Sequence, residues 1–369
     1  MKIGILTFHC AHNYGAVLQC YATQEFLRSK GYDVEIINYR PEYLLRPYRL
    51  FNKRVNYRGV IRFIKDILQE ILIFPTRYQH WKGFRHFINQ RLLLSQSIDD
   101  SSLISADYDV YLVGSDQIWN PNITQGFDKA YFCDFPFEKG PKKYIAYAAS
   151  MEVKSLDFDK QSFCCRQLRR FDAISVREES LMKMLAPLVD IPIHHVLDPT
   201  LMVPVSVWDK FLPKSIIDEK YVLVYQVFQD DNTLRIANHI ANQISAKVVN
   251  VVANMANISF YTRHWYQKAT PEDFVNILRN AACVVTTSFH GTAFSLIFNR
   301  PFYTLKLNKG WDERSTSLLN QLNLQNRQID ITSTPEFSEI DYTDINIRLD
   351  ELRKESQDFL ISALTFSHL

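Results

Sequence analysis

The amino-acid sequence predicts an α/β fold built from two Rossmann-like domains that face each other across a cleft. Short apolar runs typical of buried β-strands alternate with helical patterns along most of the chain, which favours parallel sheets with helices on both faces. The alternation comes in two series, separated by a break that contains Pro199 and Pro204. The length of 369 residues is also that of roughly two domains.

The first series starts at the amino terminus with one complete βαβ unit. A buried strand is followed by a helix that ends at Gly31, a residue typical of helix termini, and then by a second strand. Four further strand candidates belong to this series: "YDVYLVG", "KKYIAYAAS", "FDAISV" and "IHHVLD". We expect this domain to span residues 1–203, with a basic helical insertion at about residues 40–95.

The second series predicts a second sheet. Its strand candidates are "YVLVYQV", "AKVVNVVA", "CVVTTS" and "FYTLKL". One helix between them has Thr270 as its N-cap and Pro271 at its first position, both typical of a helix start. We expect the second domain to span residues 204–340 and a closing helix to occupy residues 341–369.

Composition narrows the class of protein. The chain is 47 % hydrophobic and 22 % charged, and its net charge of +2 argues against a polyanion binder by bulk charge. The six cysteines form no C-x-x-C pair, and no Cys/His group has the spacing of a zinc site, so we expect no metal. The amino terminus lacks the pattern of a signal peptide, and no apolar run approaches about 18 residues, so we expect a cytoplasmic protein.

The insertion departs from this balanced charge. From Arg40 to Arg91 the chain carries 12 Lys or Arg and 3 Asp or Glu, a local net charge of +9. One interpretation is a helix that packs on the first domain and keeps a solvated basic face. The other is a docking surface for an anionic partner, such as the inner face of a membrane or a lipid-linked diphosphate. No nucleic-acid-binding module surrounds this segment, so nucleic acid is not expected.

Polar residues directly after strands are candidate site residues, because ligands of parallel sheets bind beyond the carboxyl ends of the strands. In "CVVTTSFHGT" the strand is expected to end near Thr287 and a helix to begin near Gly291. Such a helix start attracts anions, Gly291 lets a ligand approach the backbone, and Thr292 adds a hydroxyl donor. His290 can give or take a proton near neutral pH. The alternative is that His290 only caps the helix.

Three cations lie at or after other strand ends. Arg177 in "AISVREES" could hold a carboxylate or phosphate by two hydrogen bonds, or form a surface ion pair with Glu178. Lys306 is expected near the end of the strand that follows the His290 helix, and Arg314 at the start of the next helix. Either could add positive charge to the same pocket.

The third strand end, "VGSDQIWNP", combines polar and flat apolar groups. Ser115, Asp116 and Gln117 are polar, and Trp119 offers a flat apolar face. This mixture suits a sugar ring, which has polar edges and apolar faces. A turn with a buried tryptophan is the alternative interpretation.

The segment after the first strand, "HCAHNYGAVLQ", opens a helix at the same edge of the sheet through Asn13, Tyr14 and Gly15. It does not match the G-x-G-x-x-G fingerprint, so a dinucleotide is not inferred. In "VLDPTLM", Asp198 ends a strand at the junction of the domains, where we expect a structural capping role.

Five of these motifs, taken together and in order, resemble the polysaccharide pyruvyl transferase family. They are "NYGAVLQCYATQEFL", "YDVYLVGSDQIWNP", "ISVREES", "VLDPTLM" and "TTSFHGTAFSLIFNRPF". The resemblance extends from about residue 3 to about residue 325. It implies a GT-B-like fold and transfer of the enolpyruvyl carbons of phosphoenolpyruvate onto sugar hydroxyls, with release of phosphate. The product implied is a pyruvate ketal on a cell-surface polysaccharide or its lipid-linked precursor.

The resemblance also implies roles for residues. Arg177 matches an arginine of the family's phosphoenolpyruvate site, and His290 matches its histidine, so both are the catalytic candidates. The arginine that the family has two residues before this histidine falls on Ser288, where the charge is absent. The donor-binding candidates are Ser288, Gly291, Thr292, Lys306 and Arg314. The acceptor-binding candidates are Asn13, Tyr14, Gly15, Ser115, Asp116, Gln117 and Trp119.

We expect phosphoenolpyruvate to be the donor substrate and no further cofactor to be needed, since arginines can neutralise its charge. The acceptor is a sugar or a lipid-linked oligosaccharide. Two other classes remain: a GT-B-like glycosyltransferase that uses a nucleotide sugar, and a catalytically decayed protein that binds a glycan or phosphate. The missing charge at Ser288 is the feature that keeps the last class open.

Overall fold

The computed structural model describes residues 1–50, 60–153, 155–211, 215–253, 258–259, 266–307 and 312–365. In this part of the chain, two parallel β-sheets are each flanked by helices. This confirms the predicted α/β fold with two Rossmann-like domains. The two sheets lie within the predicted domain ranges 1–203 and 204–340.

The first sheet has six strands in the order β2-β1-β3-β4-β5-β6, all paired in parallel. Each of its strands was predicted. The strands are β1 Lys2–Leu6, β2 Asp33–Ile36, β3 Val110–Val113, β4 Lys143–Ala149, β5 Ala173–Val176 and β6 Ile193–His195.

The second sheet has five parallel strands in the order β11-β10-β9-β7-β8. The strands are β7 Tyr221–Gln226, β8 Lys247–Val252, β9 Cys283–Thr286, β10 Phe302–Lys306 and β11 Gln328–Asp330. Only β11 was not predicted, because its three residues carry no apolar run.

Twelve α-helices connect and cover the sheets in the described part of the chain. They are α1 Tyr14–Ser29, α2 Glu42–Leu45, α3 Val60–Arg91, α4 Phe158–Leu168, α5 Glu179–Leu185, α6 Pro199–Met202, α7 Ser206–Asp209, α8 Asp231–Gln243, α9 Pro271–Asn280, α10 Phe289–Ile297, α11 Glu313–Gln321 and α12 Thr343–Leu364. The predicted cap of α9 is present as a reciprocal capping box between Thr270 and Asp273.

An aromatic core joins the two domains. The ring of Tyr14 on α1 stacks on Phe274 of α9 with their centroids 4.6 Å apart, and its hydroxyl donates to the carbonyl oxygen of Ala269 at 2.9 Å. These contacts belong to one continuous cluster of buried side chains that includes strands of both sheets. The two domains are therefore joined by a continuous layer of buried apolar side chains.

The insertion contains one long helix, α3, as the sequence predicted, but this helix packs on both domains. Its carboxyl-terminal half buries Phe84 and Phe87 in the shared core. Arg91 at its end forms an ion pair with Glu272 of α9 at 2.7 Å, and Gly83 lies against Thr270. The helix thus contacts the first domain, as one of the two interpretations expected, and the second domain as well.

The last helix returns to the first domain. Ser356 on α12 accepts a hydrogen bond from the Leu197 amide at 2.9 Å, and Arg353 donates to the carbonyl oxygen of Leu201 at the same distance. The chain therefore crosses between the domains twice, once after α7 and once before α12.

The interdomain core gives a direct test of the fold. Replacement of Phe274, which is 0 % exposed, by alanine should lower the free energy of unfolding by about 3–5 kcal/mol, because a large buried ring is lost and a cavity remains. Phe158→Ala is the matched control, since that ring is 80 % exposed and its loss should change stability by less than about 0.5 kcal/mol. Urea denaturation measures both, and equal effects would contradict the assignment of Phe274 to the core.

Candidate active site

A cleft of about 360 Å³ lies between the two sheets. Its walls come from segments directly after five strands, β1, β3, β4, β7 and β9, so the ligand side that parallel topology predicts is the one that the structure forms. Polar and charged side chains at this surface include Asn13, Asp116, Gln117, Glu152, His290 and Arg314.

Close packing against Gly15 holds the His290 side chain in the wall of this cleft. It lies in the first turn of α10 and is only 5 % exposed. A Cβ atom built on Gly15 would lie 2.0 Å from His290 Nδ1, so the imidazole occupies the space that any larger residue would fill. Gly15 and His290, which are 275 positions apart in the chain, thus form one contact across the domains.

Asp198 is the carboxylate beside His290. Its Oδ2 lies 3.7 Å from His290 Nε2, a ring nitrogen that is buried and has no hydrogen-bond partner. Oδ1 accepts hydrogen bonds from the backbone amide and the hydroxyl of Thr200, as the predicted capping role requires. Capping is therefore only part of its role, because the second oxygen faces both a histidine and an arginine.

That arginine is Arg177, which is 3 % exposed and lies beneath the cleft surface. Its Nη1 donates to Asp198 Oδ2 at 2.6 Å, and further carboxylate oxygens lie 3.5 Å away on Glu178 and 3.8 Å away on Asp116. The guanidinium also covers the ring of Phe289, 4.7 Å from its centroid. The predicted ion pair with Glu178 exists, but it is buried instead of at the surface.

These charges set the protonation of Asp198. Burial alone would raise its pKa, but the His290 imidazole and the Arg177 guanidinium beside it, together with the Thr200 amide, lower the pKa of this carboxyl well below its ordinary value of 3.8. Asp198 is therefore a carboxylate at neutral pH. A fixed negative charge next to an imidazole helps to hold the ring in one orientation.

The start of α10 differs from the sequence expectation. The helix begins at Phe289, and Ser288 is its N-cap, accepting a hydrogen bond from the Gly291 amide at 3.5 Å. Gly291 faces strand β9, since a Cβ there would lie 2.3 Å from Thr286 Oγ1, and Thr292 is fully buried. Gly291 and Thr292 do not line the cleft, and the amides without partners within the helix are those of the first turn at Phe289 and His290.

A second charge pair lies at the cleft wall. Arg314 Nη2 donates to Glu152 Oε2 at 3.1 Å, and Glu152 also accepts from Gln117 Nε2 at 3.1 Å. Burial raises the pKa of Glu152, although Arg314 and Arg177 oppose the shift. The cleft wall therefore contains a partly buried arginine that is paired with a buried carboxylate.

Several predicted site residues do not reach the cleft surface. Trp119 is 1 % exposed, and its indole N–H donates to the carbonyl oxygen of Tyr131 at 2.8 Å, so its ring cannot stack on a sugar. Tyr14 belongs to the interdomain core. Ser115 is buried and donates to the carbonyl oxygen of Ala148 at 2.8 Å, behind Asp198. Lys306 ends β10 outside the cleft lining.

Other predicted residues are brought together. Asn13 caps α1 by accepting a hydrogen bond from the Ala16 amide, and it lines the cleft with Asp116 and Gln117. Ser288, His290 and Arg314 line the same cleft. The flat apolar faces expected from tryptophan are supplied by Phe8, Tyr48 and Phe228.

Sequence reasoning missed Glu152 and undervalued Asp198. Glu152 follows strand β4 by three residues, so the rule that selected His290 could have found it. The same rule could not have predicted the contacts of Asp198, because its partner Arg177 follows strand β5 and its partner His290 lies in the other domain. Among the described residues, no group of three or more His, Cys, Asp or Glu side chains is arranged to hold a metal ion.

The fold and the cleft together define a two-domain α/β protein with a histidine–carboxylate pair at its ligand site. A family model for polysaccharide pyruvyl transferases matches residues 13–308. This range includes all residues that line the cleft except Phe8, Ala11 and Arg314. The chain belongs to the polysaccharide pyruvyl transferase family, which is a family of transferases. No curated protein matches the chain.

Solved structures resemble the chain only at a distance. UDP-N-acetylglucosamine 2-epimerase from Rickettsia bellii is 11 % identical, with a TM-score of 0.44 and coverage of 98 % of this chain and 96 % of that one. The E. coli heptosyltransferase WaaC with ADP is also 11 % identical, with a TM-score of 0.38 and coverage of 95 % and 100 %. The fold assignment depends on the two parallel sheets and not on these matches.

None of the described helices combines the length and the apolarity that are needed to cross a bilayer.

The contact between Gly15 and His290 leads to the first site prediction. Gly15→Ala should displace the imidazole and lower the free energy of unfolding by about 1–3 kcal/mol, because the added methyl overpacks the site. A crystal structure of the variant would show the displaced ring, and urea denaturation would give the cost. Gly31→Ala is the control: no atom lies within 4 Å of its Cβ position, so it strains only the backbone and leaves His290 in place. An undisturbed ring in Gly15→Ala would contradict the packing argument.

The lowered pKa of Asp198 predicts a pH-dependent stability. Asp198→Asn should lower the free energy of unfolding at pH 7 by about 3–5 kcal/mol, because Arg177 keeps a buried charge and loses a partner. A carboxyl whose folded pKa is lowered stabilises the fold above its unfolded pKa and loses that contribution as the pH falls through the folded pKa. The difference between wild type and variant should therefore be constant from about pH 5 to 8 and shrink below about pH 4.

Urea denaturation across this pH range measures the difference. Asp190→Asn, at an exposed position, serves as the control and should change stability by less than about 0.5 kcal/mol. A difference that grows as the pH falls would show that Asp198 is protonated at neutral pH in the native protein, contrary to the geometry.

Proposed function

We propose that this protein transfers the enolpyruvyl group of phosphoenolpyruvate to sugar hydroxyls and forms a pyruvate ketal on a cell-surface polysaccharide or its lipid-linked precursor. The observation that carries the proposal is the His290–Asp198 pair at the start of a helix in the interdomain cleft. Family membership supports it, because His290 lies within the matched range. The proposal places the reaction in the cytoplasm, at the inner face of the membrane.

The donor phosphate is assigned to the first turn of α10. There the amides of Phe289 and His290 are available to an anion, and Ser288 supplies a hydroxyl at the same point. Arg314 supplies the cation in this proposal and takes the place of the family's arginine, which is absent at Ser288. Its guanidinium would exchange the carboxylate of Glu152 for the phosphate.

The proton is assigned to His290. As an imidazolium it protonates the methylene carbon of phosphoenolpyruvate, and the C2 carbon becomes electrophilic. A sugar hydroxyl forms a bond to C2 and loses its proton, the bond to phosphate breaks, and a second hydroxyl of the same glycan then closes the ketal. One hydroxyl proton replaces the proton that His290 gave, and the other leaves with the phosphate. A well-placed general acid of this kind contributes about 10²–10⁴-fold to the rate.

Arg177 has a supporting role in this proposal. Its guanidinium is bound to Asp198 and covered by Phe289, so it fixes the carboxylate that faces His290. The expectation that Arg177 itself clamps the donor remains a prediction. The structure favours indirect action, since the side chain is 2 % exposed and three carboxylates surround it.

The acceptor is assigned to the remainder of the cleft. Phe8, Tyr48 and Phe228 offer apolar faces to a sugar ring, and Asn13 and Gln117 offer hydrogen bonds to its hydroxyls. The volume of about 360 Å³ is at the lower end of the range for small-molecule sites. This size suits phosphoenolpyruvate together with part of one sugar residue.

The test measures donor binding and phosphate release together. Millimolar phosphoenolpyruvate should raise the melting temperature of the wild type, since a ligand at about 100 times its Kd stabilises by about 2.7 kcal/mol. Phosphate release with lipid-linked and free glycans that carry two neighbouring hydroxyls should fall by about 10²–10⁴-fold in His290→Gln. Arg314→Ala should lose the donor-dependent shift.

His239→Gln, on helix α8 away from the cleft, is the matched control and should keep full activity. Full activity in His290→Gln would remove His290 from the mechanism. A melting shift with nucleotide sugars alone, accompanied by release of a nucleoside diphosphate, would instead identify a glycosyltransferase. Binding of phosphoenolpyruvate with no turnover for any glycan would favour a binding protein.

A further inference from the structure

The outward face of helix α3 carries large aliphatic side chains that touch no core. Ile64, Ile67, Leu68, Ile71 and Leu72 are between 36 % and 66 % exposed, and we refer to them as the apolar stripe. Their spacing of three and four residues places them on one side of the helix. Single exposed aliphatic residues are common on soluble proteins, but five contiguous ones mark an interaction surface.

The apolar stripe is separate from the face by which α3 is anchored. The anchoring face is formed by Ile73, His80, Phe84 and Phe87, each less than 9 % exposed and spaced for the other side of the helix. Between Ile64 and Leu72, α3 therefore has an apolar side that packs on no core cluster of the described residues. An amphipathic helix that only covers the core would place polar residues there.

The segment of the sequence that contains the apolar stripe is basic. The segment from Arg40 to Arg91 has a net charge of +9, while the chain as a whole has +2. Lys82, which is exposed, follows Ile64 by 18 residues, or five helical turns, and thus continues the line of the stripe. Arg85 is exposed one turn further on and covers Trp81, 4.7 Å from the ring centroid.

We propose that the apolar stripe docks this protein on an anionic membrane surface, with the aliphatic side chains in the lipid interface and the basic residues against the headgroups. Charge complementarity selects this partner over a second copy of the chain, because a symmetric dimer through α3 would bring two segments of +9 together. Aliphatic residues combined with lysine and arginine are the composition of helices that lie in the plane of a membrane.

The helix that carries the apolar stripe also contacts the wall of the cleft, through its anchoring face. Leu44 and Tyr48, which precede α3 in the chain, line the cleft. His12 stacks on Tyr48 and on Phe84 of α3, with centroid distances of 5.6 and 5.2 Å, and so connects the helix to this wall. A membrane-anchored glycan would thus be held beside the site. Only this identification of the acceptor rests on the proposed function, and membrane binding itself does not.

Vesicle binding of the full chain tests the proposal. We expect the wild type to sediment with vesicles of equal parts phosphatidylglycerol and phosphatidylcholine, much less with phosphatidylcholine alone, and less as salt is raised. Ile71→Ser with Leu72→Ser should weaken binding at least about tenfold, because the apolar contact is lost at constant charge. Ile64→Ser with Leu68→Ser is a second variant of the same kind.

Val205→Ser with Ile347→Ser is the matched control, because both residues are exposed aliphatics outside α3 and should leave binding unchanged. Activity on a water-soluble acceptor should be equal in all variants, so that failure of docking and failure of the proposed reaction give different results. The proposal is overturned by an absence of binding to the anionic vesicles, or by binding that both stripe variants retain. A dimer of the wild type that the stripe variants dissociate would assign the surface to a second copy instead.

Discussion

The cleft is organised around one buried charge, the guanidinium of Arg177. An arginine this deep must be surrounded by carboxylates, because an unpaired charge in the interior is strongly destabilising. Its partners come from the ends of different strands: Asp116 after β3, Glu178 beside it after β5, and Asp198 after β6. The requirement to neutralise one charge thus brings three strand ends together and points Asp198 at the histidine of the other domain.

Much of the architecture is predictable from local patterns. Ten of the eleven strands in the described part of the chain were predicted, because a buried parallel strand is a short apolar run that can be recognised without its partners. The rule that ligands bind at strand ends selected His290, Asp116, Gln117 and Arg314, and all four line the cleft. The start of α12 at Thr343 and the cap of α9 are also local signals.

The remainder depends on contacts between distant parts of the chain. The sequence around Trp119 is compatible with a ring at the surface or in the core. Contacts with distant residues, such as the packing of Phe132 and Phe171 on the ring, place it in the core. Gly15 and Gly291 look alike as permissive residues at helix starts. In the structure each makes room for one side chain, His290 and Thr286 respectively, and neither identity is visible from neighbouring positions. The sequence around Asp198 predicts a helix cap, but it does not show that the second carboxylate oxygen, Oδ2, faces Arg177 and His290.

The aromatic core between the domains has a consequence for how substrates enter. Separation of the domains would expose the stacked rings of Tyr14 and Phe274 to water and pull apart a chain that crosses between the domains twice. Opening of the whole molecule is thus a poor route for a ligand, since its cost resembles that of partial unfolding. Ligand exchange through local movements of lining side chains such as Tyr48 and Phe228 would leave this core intact. The two domains thus form one rigid unit, and opening and closing of the cleft by movement of whole domains is not favoured.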